Sequence, residues 1–202
     1  MMKKTYRLFF VLTAAISLLS CTTGQLAYRI DPEIKSMSKL SEHTPIVAVQ
    51  VRDKRESTYY TGEEYAKGPG NESEQLKQNI ISQLQKQGFK LITDPLLADL
   101  SLTFEIEQLS AKVSKDLFKA RIDVDSHIRL KAKRKGTPLE KLFKSNRFQE
   151  VAIPVNSNDV TGLINQVLST QLTAIFDDRE LQALAQKSQE ENTQTFTIEP
   201  VR

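Results

Sequence analysis

Two stretches of the chain alternate apolar and polar residues, and this pattern limits the possible folds more than any other feature. An apolar side chain occupies every second position of residues 100–107, and residues 120–132 continue the same alternation over a longer run. Successive side chains of a β-strand point to opposite faces, so a period of two places the apolar side chains on one face. The pattern therefore predicts an antiparallel sheet with one buried face and one face in water.

Two further stretches repeat apolar residues at the spacing of an α-helix, over residues 73–86 and 158–176. Shorter strands are predicted at residues 46–51, whose continuous β-branched run indicates burial on both faces, and at 89–92. A third antiparallel strand is predicted within residues 139–153, and a short helix near the end. Together these elements predict an α+β two-layer sandwich, a mostly antiparallel sheet with two main amphipathic helices on one face.

The N-terminus carries a secretory leader over residues 1–20. Lys3, Lys4 and Arg7 precede an apolar run at residues 8–19. As a helix this run would span about 18 Å, well short of a hydrocarbon core of about 30 Å. A positive flank followed by a short apolar core is typical of a cleaved signal and not of a membrane span.

Cys21 is the only cysteine of the chain and directly follows this leader. The residues Leu18-Leu19-Ser20-Cys21 resemble the bacterial lipobox, which predicts lipidation of Cys21; the alternative is an ordinary cleaved signal with a cysteine nearby. By the same resemblance, Thr22 is not the aspartate that retains lipoproteins on the inner membrane. We therefore expect a lipid-anchored protein of the outer membrane that faces the periplasm.

Removing the leader also removes the net charge of +3, because its three basic residues supply the whole excess. A neutral domain lacks the concentrated basic surface that nucleic-acid binding needs. The expected organisation is a signal peptide at 1–20, a lipidated N-terminus and tether at 21–44, one α+β domain at 45–187 and a polar tail at 188–202. Residues 26–30 could instead pair as an edge strand.

The first candidate site follows the strand at residues 46–51. Asp53 and Arg55 either form a charged ligand site at the strand end, or an ion pair and turn that anchor the long loop at residues 52–71; we favour the second. Tyrosine offers both contact area and a polar group at interfaces, so the loop tyrosines are the best candidates for partner contact. Their alternative is a loop folded back on its own sheet. These residues are Tyr59, Tyr60 and Tyr65.

The second candidate lies on the polar face of the longest predicted strand. The carboxylates and the histidine on this face could form a metal or acid–base site. Ordinary alternation on a solvated face places the same residue types there, and we favour that interpretation. The sequence predicts that glutamates of a neighbouring strand pair across strands with Arg121, Arg129 or Lys131. Because no catalytic or phosphate-binding motif is present, we predict a protein that is not an enzyme and holds no cofactor or metal. The residues are Asp123, Asp125, His127 and Arg129, with Glu105 and Glu107 across strands.

Residues 46–55 with Gly62, the helix end at 84–89, residues 98–102 and the long C-terminal helix resemble the YajG-type family of bacterial envelope lipoproteins. The resemblance implies this architecture and location, and no catalytic residue. The function expected is a non-enzymatic binding or accessory module for an envelope protein complex or envelope polymer. Two alternatives stay open: a carrier for a lipid or other apolar ligand, and a small envelope hydrolase using His127 and nearby carboxylates.

Overall fold

The structure, a computed structural model, describes residues 26–34, 45–56 and 65–186. The leader, Cys21, Tyr59, Tyr60 and the polar tail lie outside the described residues. The elements follow in chain order as β1 Ile46–Asp53, α1 Glu72–Lys86, β2 Lys90–Ile92, β3 Leu100–Lys115, β4 Lys119–Arg134, β5 Thr137–Ala152, α2 Ser157–Phe176 and α3 Arg179–Gln186.

The five strands form one sheet in the order β2-β1-β3-β4-β5. β1 runs parallel to both of its neighbours, whereas β3, β4 and β5 form a long antiparallel meander. All three helices pack on one side of this sheet, which confirms the predicted α+β sandwich with a mostly antiparallel sheet. No helix within the described parts of the chain is long and apolar enough to cross a membrane.

A β-bulge explains why the alternation in β3 stops near residue 107 although the strand continues to Lys115. The register with β4 shifts between Ile106 and Gln108. Ile106 is buried before the bulge, and Leu109 is buried after it. The extra residue changes which positions face the core, because two residues on the bulged strand oppose one on its partner.

The core lies between the sheet and the helices. Leu76, Ile80 and Leu84 of α1 are fully buried, and the Phe104 and Phe176 rings lie with their centroids 6.0 Å apart. The apolar residues that recur at helical spacing in the sequence therefore pack against the apolar face of the sheet.

Residues 26–34 depart from the expected tether at 21–44. Tyr28, Ile30 and Ile34 are buried in the core, and this segment, which we call the strap, lies as an extended chain between α1 and α2. The Ile30 amide donates to Gln75 Oε1 at 2.9 Å, and Gln83 Nε2 donates to the Ile34 carbonyl at 3.4 Å. The strap is therefore part of the domain, because every second side chain points into the core and helix side chains form hydrogen bonds with its backbone groups.

The α2 side of the strap is held by polar side chains spaced four residues apart on the helix. Four residues of α-helix rise about 6 Å, close to the roughly 6.6 Å that two residues of extended chain span, so each helical turn meets every second strap residue. These polar side chains therefore face the strap and not solvent alone. The pairs are Ser157 with Ala27, Thr161 with Arg29, Asn165 with Asp31 and Ser169 with Glu33.

Candidate functional site

Asp53 and Arg55 belong to a polar cluster beside the strap, in which Tyr28 and Glu72 are buried and Asp53 is partly exposed. The Arg55 guanidinium contacts Asp53 Oδ2 at 2.6 Å and Glu72 Oε1 at 3.0 Å. The Tyr28 hydroxyl donates to Glu72 Oε1 at 3.2 Å, and Arg55 also donates to the Leu109 carbonyl at 3.4 Å. The cluster thus joins the end of β1, the start of α1, the strap and β3 at one point.

The charges of the cluster stabilise one another. Burial and the neighbouring Glu72 carboxylate raise the pKa of Tyr28 to about 12, so its phenol stays protonated as a donor. Burial works against the Asp53 carboxylate, yet hydrogen bonds from Arg55 hold its pKa below the usual value. Burial opposes the charged form of Arg55 too, but its two carboxylate partners raise its pKa. The cluster is therefore a fixed ion-pair network.

Gly68 lies directly against this network. A Cβ at this position would come within 1.9 Å of Glu72 Oε1 and 2.7 Å of the Tyr28 hydroxyl. Only glycine fits there, because the carboxylate and the phenol occupy the space of a side chain. The loop after β1 is thus tied to the cluster through the close approach of its backbone.

These contacts match the interpretation of Asp53 and Arg55 as an ion pair and turn that anchor the loop. The Arg55 amide also donates to Asp53 Oδ1 at 3.1 Å, which closes the turn. Sequence reasoning missed Glu72 and Tyr28, which complete the cluster from α1 and the strap. Glu72 lies one residue before the predicted helix at 73–86, and Tyr28 lies in the expected tether, so no local pattern marked either residue.

The polar face of β4 lies on the side of the sheet opposite the helices. Arg129 Nε contacts Glu107 Oε1 at 2.5 Å, and Lys131 Nζ contacts Glu105 Oε2 at 2.8 Å. The hydrogen bond from Lys131 lowers the pKa of Glu105 despite its burial. The predicted cross-strand pairing of both glutamates is confirmed, and the face is a solvated, ion-paired sheet surface.

His127 lies on the same face between Asp125 and Arg129, half-buried. Its cross-strand neighbours are Gln108 and Lys144. The adjacent hydroxyl of Ser126 points to the opposite face, where it donates to Gln171 Oε1 at 2.6 Å. Within the described residues, no group of three or more acidic, histidine or cysteine side chains is arranged to hold a metal ion.

An open depression of about 880 Å³ lies on this face, where residues of the loop after β1 meet the polar side chains of β3 and β4. It lies at the β-bulge of β3, and the residues on either side of the undescribed segment 57–64, namely Glu56 and Tyr65, contribute to its rim. Tyr65 forms a β-bridge with Lys112, whose Nζ lies 5.9 Å from the ring centroid. We call this surface the charged depression; it is lined by Lys54, Glu56, Tyr65, Glu105, Glu107, Gln108, Arg129 and Lys131.

The domain is a two-layer α+β sandwich with charged side chains on one sheet face, and the sequence carries a lipobox-type leader. These features are those of a small lipoprotein. The profile of a family described as uncharacterized lipoprotein matches residues 32–186. The chain belongs to this family, the YajG family, as the residues of the first strand and helix ends predicted. A search of curated proteins finds no match.

Several solved structures are similar in fold. An uncharacterized protein is 14% identical with a TM-score of 0.42, covering 74% of this chain and 95% of its own. A hypothetical protein of Chlamydia trachomatis is 15% identical with a TM-score of 0.38, covering 71% and 98%. A lipoprotein of Neisseria meningitidis is 11% identical with a TM-score of 0.33, covering 65% and 96%. At these scores the likeness carries no argument about function.

Proposed function

We propose that this lipoprotein is anchored to the outer membrane through a lipid on Cys21 and acts as a non-enzymatic binding module. The charged depression is the binding surface, and its occupant is an envelope protein. The observation that carries the proposal is the position of this depression on the face of the sheet opposite the helices, at the point where the loop after β1 reaches the bulge of β3.

The charges of the depression favour a protein partner over a charged polymer. Three cations, Lys54, Arg129 and Lys131, are interleaved with the carboxylates of Glu56, Glu105 and Glu107. A polyanionic chain would meet as much repulsion as attraction there, whereas a protein surface can present both signs in register. Tyr65 adds a large amphipathic side chain at the rim, and tyrosine is among the residue types enriched at interface hot spots.

The two alternatives receive less support from the geometry. A lipid carrier needs space between helices and sheet, whereas the described apolar side chains there form one buried cluster. A hydrolase at His127 needs an activated nucleophile beside the imidazole, but the hydroxyl of the adjacent residue, Ser126, faces the core.

Photo-crosslinking in intact cells tests the binding surface. A photoreactive amino acid replaces Tyr65, and in a control strain it replaces Gln78 on the exposed side of α1. We expect one discrete adduct from the Tyr65 position and none of that size from the Gln78 position, because only the first borders the depression.

Charge reversal then tests whether the depression recognises the partner. Lys54→Glu should lower the yield of the adduct severalfold, whereas the matched reversal Lys86→Glu, at the exposed end of α1, should leave it unchanged. An adduct that resists Lys54→Glu, or that forms equally from Gln78, would count against the charged depression as the binding surface.

A further inference from the structure

The turn between β3 and β4 exposes two large apolar side chains. Leu117 is 80% exposed and Phe118 is 86% exposed, although tight turns favour small or polar residues. The Asp116 amide donates to the Lys119 carbonyl at 2.8 Å across the turn, and the Asp116 side chain accepts from the Leu117 amide at 2.7 Å. The turn is therefore well formed, and its apolar residues are presented to the surroundings instead of to the core.

The end of the sheet that carries this turn, which we call the tip end, holds another exposed apolar side chain and two lysines. Ile153, 41% exposed, follows Ala152, which pairs with Lys119 at the start of β4. Lys115 and Lys119 flank the turn, and Lys119 also pairs with Glu150 at 2.8 Å. In general, the methylene chain of a lysine can lie along apolar surface while its ammonium group reaches lipid headgroups. Lysines beside exposed apolar residues are therefore typical of a membrane-interface contact.

The strap enters the domain at the same end of the sheet. The Ala27 amide donates to the hydroxyl of Ser157, which begins α2 shortly after Ala152. The Lys67 amide donates to the Leu26 carbonyl. Only five residue steps separate Leu26 from Cys21, and they can span at most about 18 Å. A lipid on Cys21 therefore keeps the tip end of the sheet close to the membrane.

We propose that the β3–β4 turn is a second membrane contact, in which Leu117 and Phe118 enter the interface of the bilayer that holds the lipid on Cys21. This proposal rests on the anchor proposed above. Two contacts, the lipid and the turn, would stand the long strands away from the bilayer. The charged depression, which includes Glu105 and Gln108 of β3, would then lie about 23–33 Å beyond Lys115 along the strand.

The chain offers a matched control at the opposite end of the sheet. Leu96 and Leu97 are also adjacent and exposed, at 92% and 66%, but they precede Leu100, the first residue of β3. The 16 residues of β3 separate the two apolar pairs, a distance of roughly 50 Å. If exposed apolar residues entered lipid in general, both pairs would do so. The proposal predicts that Leu117 and Phe118 enter the bilayer and that Leu96 and Leu97 do not.

Fluorescent labelling of the full mature lipoprotein in vesicles measures this difference. Acylation consumes the thiol of Cys21, so Phe118→Cys introduces the only thiol that a nitrobenzoxadiazole dye can label, and Leu96→Cys serves as the control. In vesicles of phosphatidylethanolamine and phosphatidylglycerol, we expect the dye at Phe118→Cys to shift to the blue and to be quenched severalfold more by spin-labelled lipid. Equal emission and quenching at both positions would overturn the proposal.

Protease protection is a second measurement, and it needs no fluorescent label. Trypsin should cleave at Lys115 and Lys119 slowly in vesicles and severalfold faster in the Leu117→Ser/Phe118→Ser variant, but not in Leu96→Ser/Leu97→Ser. Flotation of the same vesicles separates the two proposals. Protein that does not float contradicts the anchor, whereas protein that floats with an unprotected turn contradicts only the second contact.

Discussion

Replacing Arg55 by alanine should remove the centre of the polar cluster beside the strap. The guanidinium holds two carboxylates, and Glu72, the more buried of them, has a side chain only 5% exposed. Without Arg55, the Tyr28 hydroxyl is the one side-chain partner of Glu72 in the cluster. A charge would then be left in the interior with one neutral hydrogen bond, which is a strongly unfavourable arrangement.

The expected loss of stability is about 3 kcal/mol, because breaking a buried ion pair by removing one partner typically destabilises by about 3–5 kcal/mol. The lower end applies since the Asp53 side chain is 36% exposed and can be hydrated after the change. Arg55→Lys keeps the charge but loses the planar, forked donor set, so it should fall between wild type and Arg55→Ala.

Arg121→Ala is the matched control. Arg121 also pairs with an aspartate two residues away, at 2.7 Å from Asp123, but the two side chains are 46% and 34% exposed. Exposed pairs of this kind contribute little to stability, so this variant should unfold close to wild type. Urea unfolding of the mature protein, followed by far-ultraviolet circular dichroism, measures all three variants. Equal midpoints for Arg55→Ala and Arg121→Ala would refute the reasoning.

Three further outcomes follow from the same structure. Gly68→Ala should lower the free energy of unfolding by about 2–3 kcal/mol through overpacking, whereas Gly162→Ala, with open space at its Cβ position inside α2, should raise it by up to about 1 kcal/mol; urea midpoints moving in the same direction would contradict this. Because the pKa of Tyr28 rises from 10.0 to about 12, its stabilising contribution is complete below pH 10 and is lost toward pH 12; phenol absorbance should show one late ionisation that Tyr28→Phe removes, and an unchanged titration would argue against it. The pKa of Glu105 lies below its usual 4.5, so its contribution is present above that pH and disappears as the pH falls further; Glu105→Gln should flatten the acid side of the stability profile, and a profile as steep as wild type would disagree.

The sequence was most informative where one periodic pattern decides the structure. The alternation of residues 120–132 predicted β4 because each strand position commits its side chain to one face, and the helical spacing of residues 158–176 predicted α2 for the same kind of reason. The ion pair of Asp53 with Arg55 was also predictable, because both residues lie in one turn and need no information about the rest of the fold.

Contacts that join distant elements were not predictable in this way. The strap is extended but has no long ladder of backbone hydrogen bonds, and the helix side chains that hold it, such as Thr161 and Asn165, look like an ordinary solvent-facing side of α2. Gln171 also belongs to that polar set, yet it is buried and donates to the Ser126 and Phe143 carbonyls. Such roles depend on which element packs alongside, and a single sequence does not specify that.

Both proposals depend on one claim, that a lipid on Cys21 holds the domain at the membrane. Metabolic labelling with an alkyne fatty acid, combined with fractionation of the envelope, tests it directly. We predict that the wild-type protein is labelled and sediments with outer-membrane vesicles, and that Cys21→Ala is unlabelled and accumulates as a slower-migrating precursor. A Cys21→Ala protein that is still labelled, or processed and retained in the outer membrane like wild type, would contradict the account.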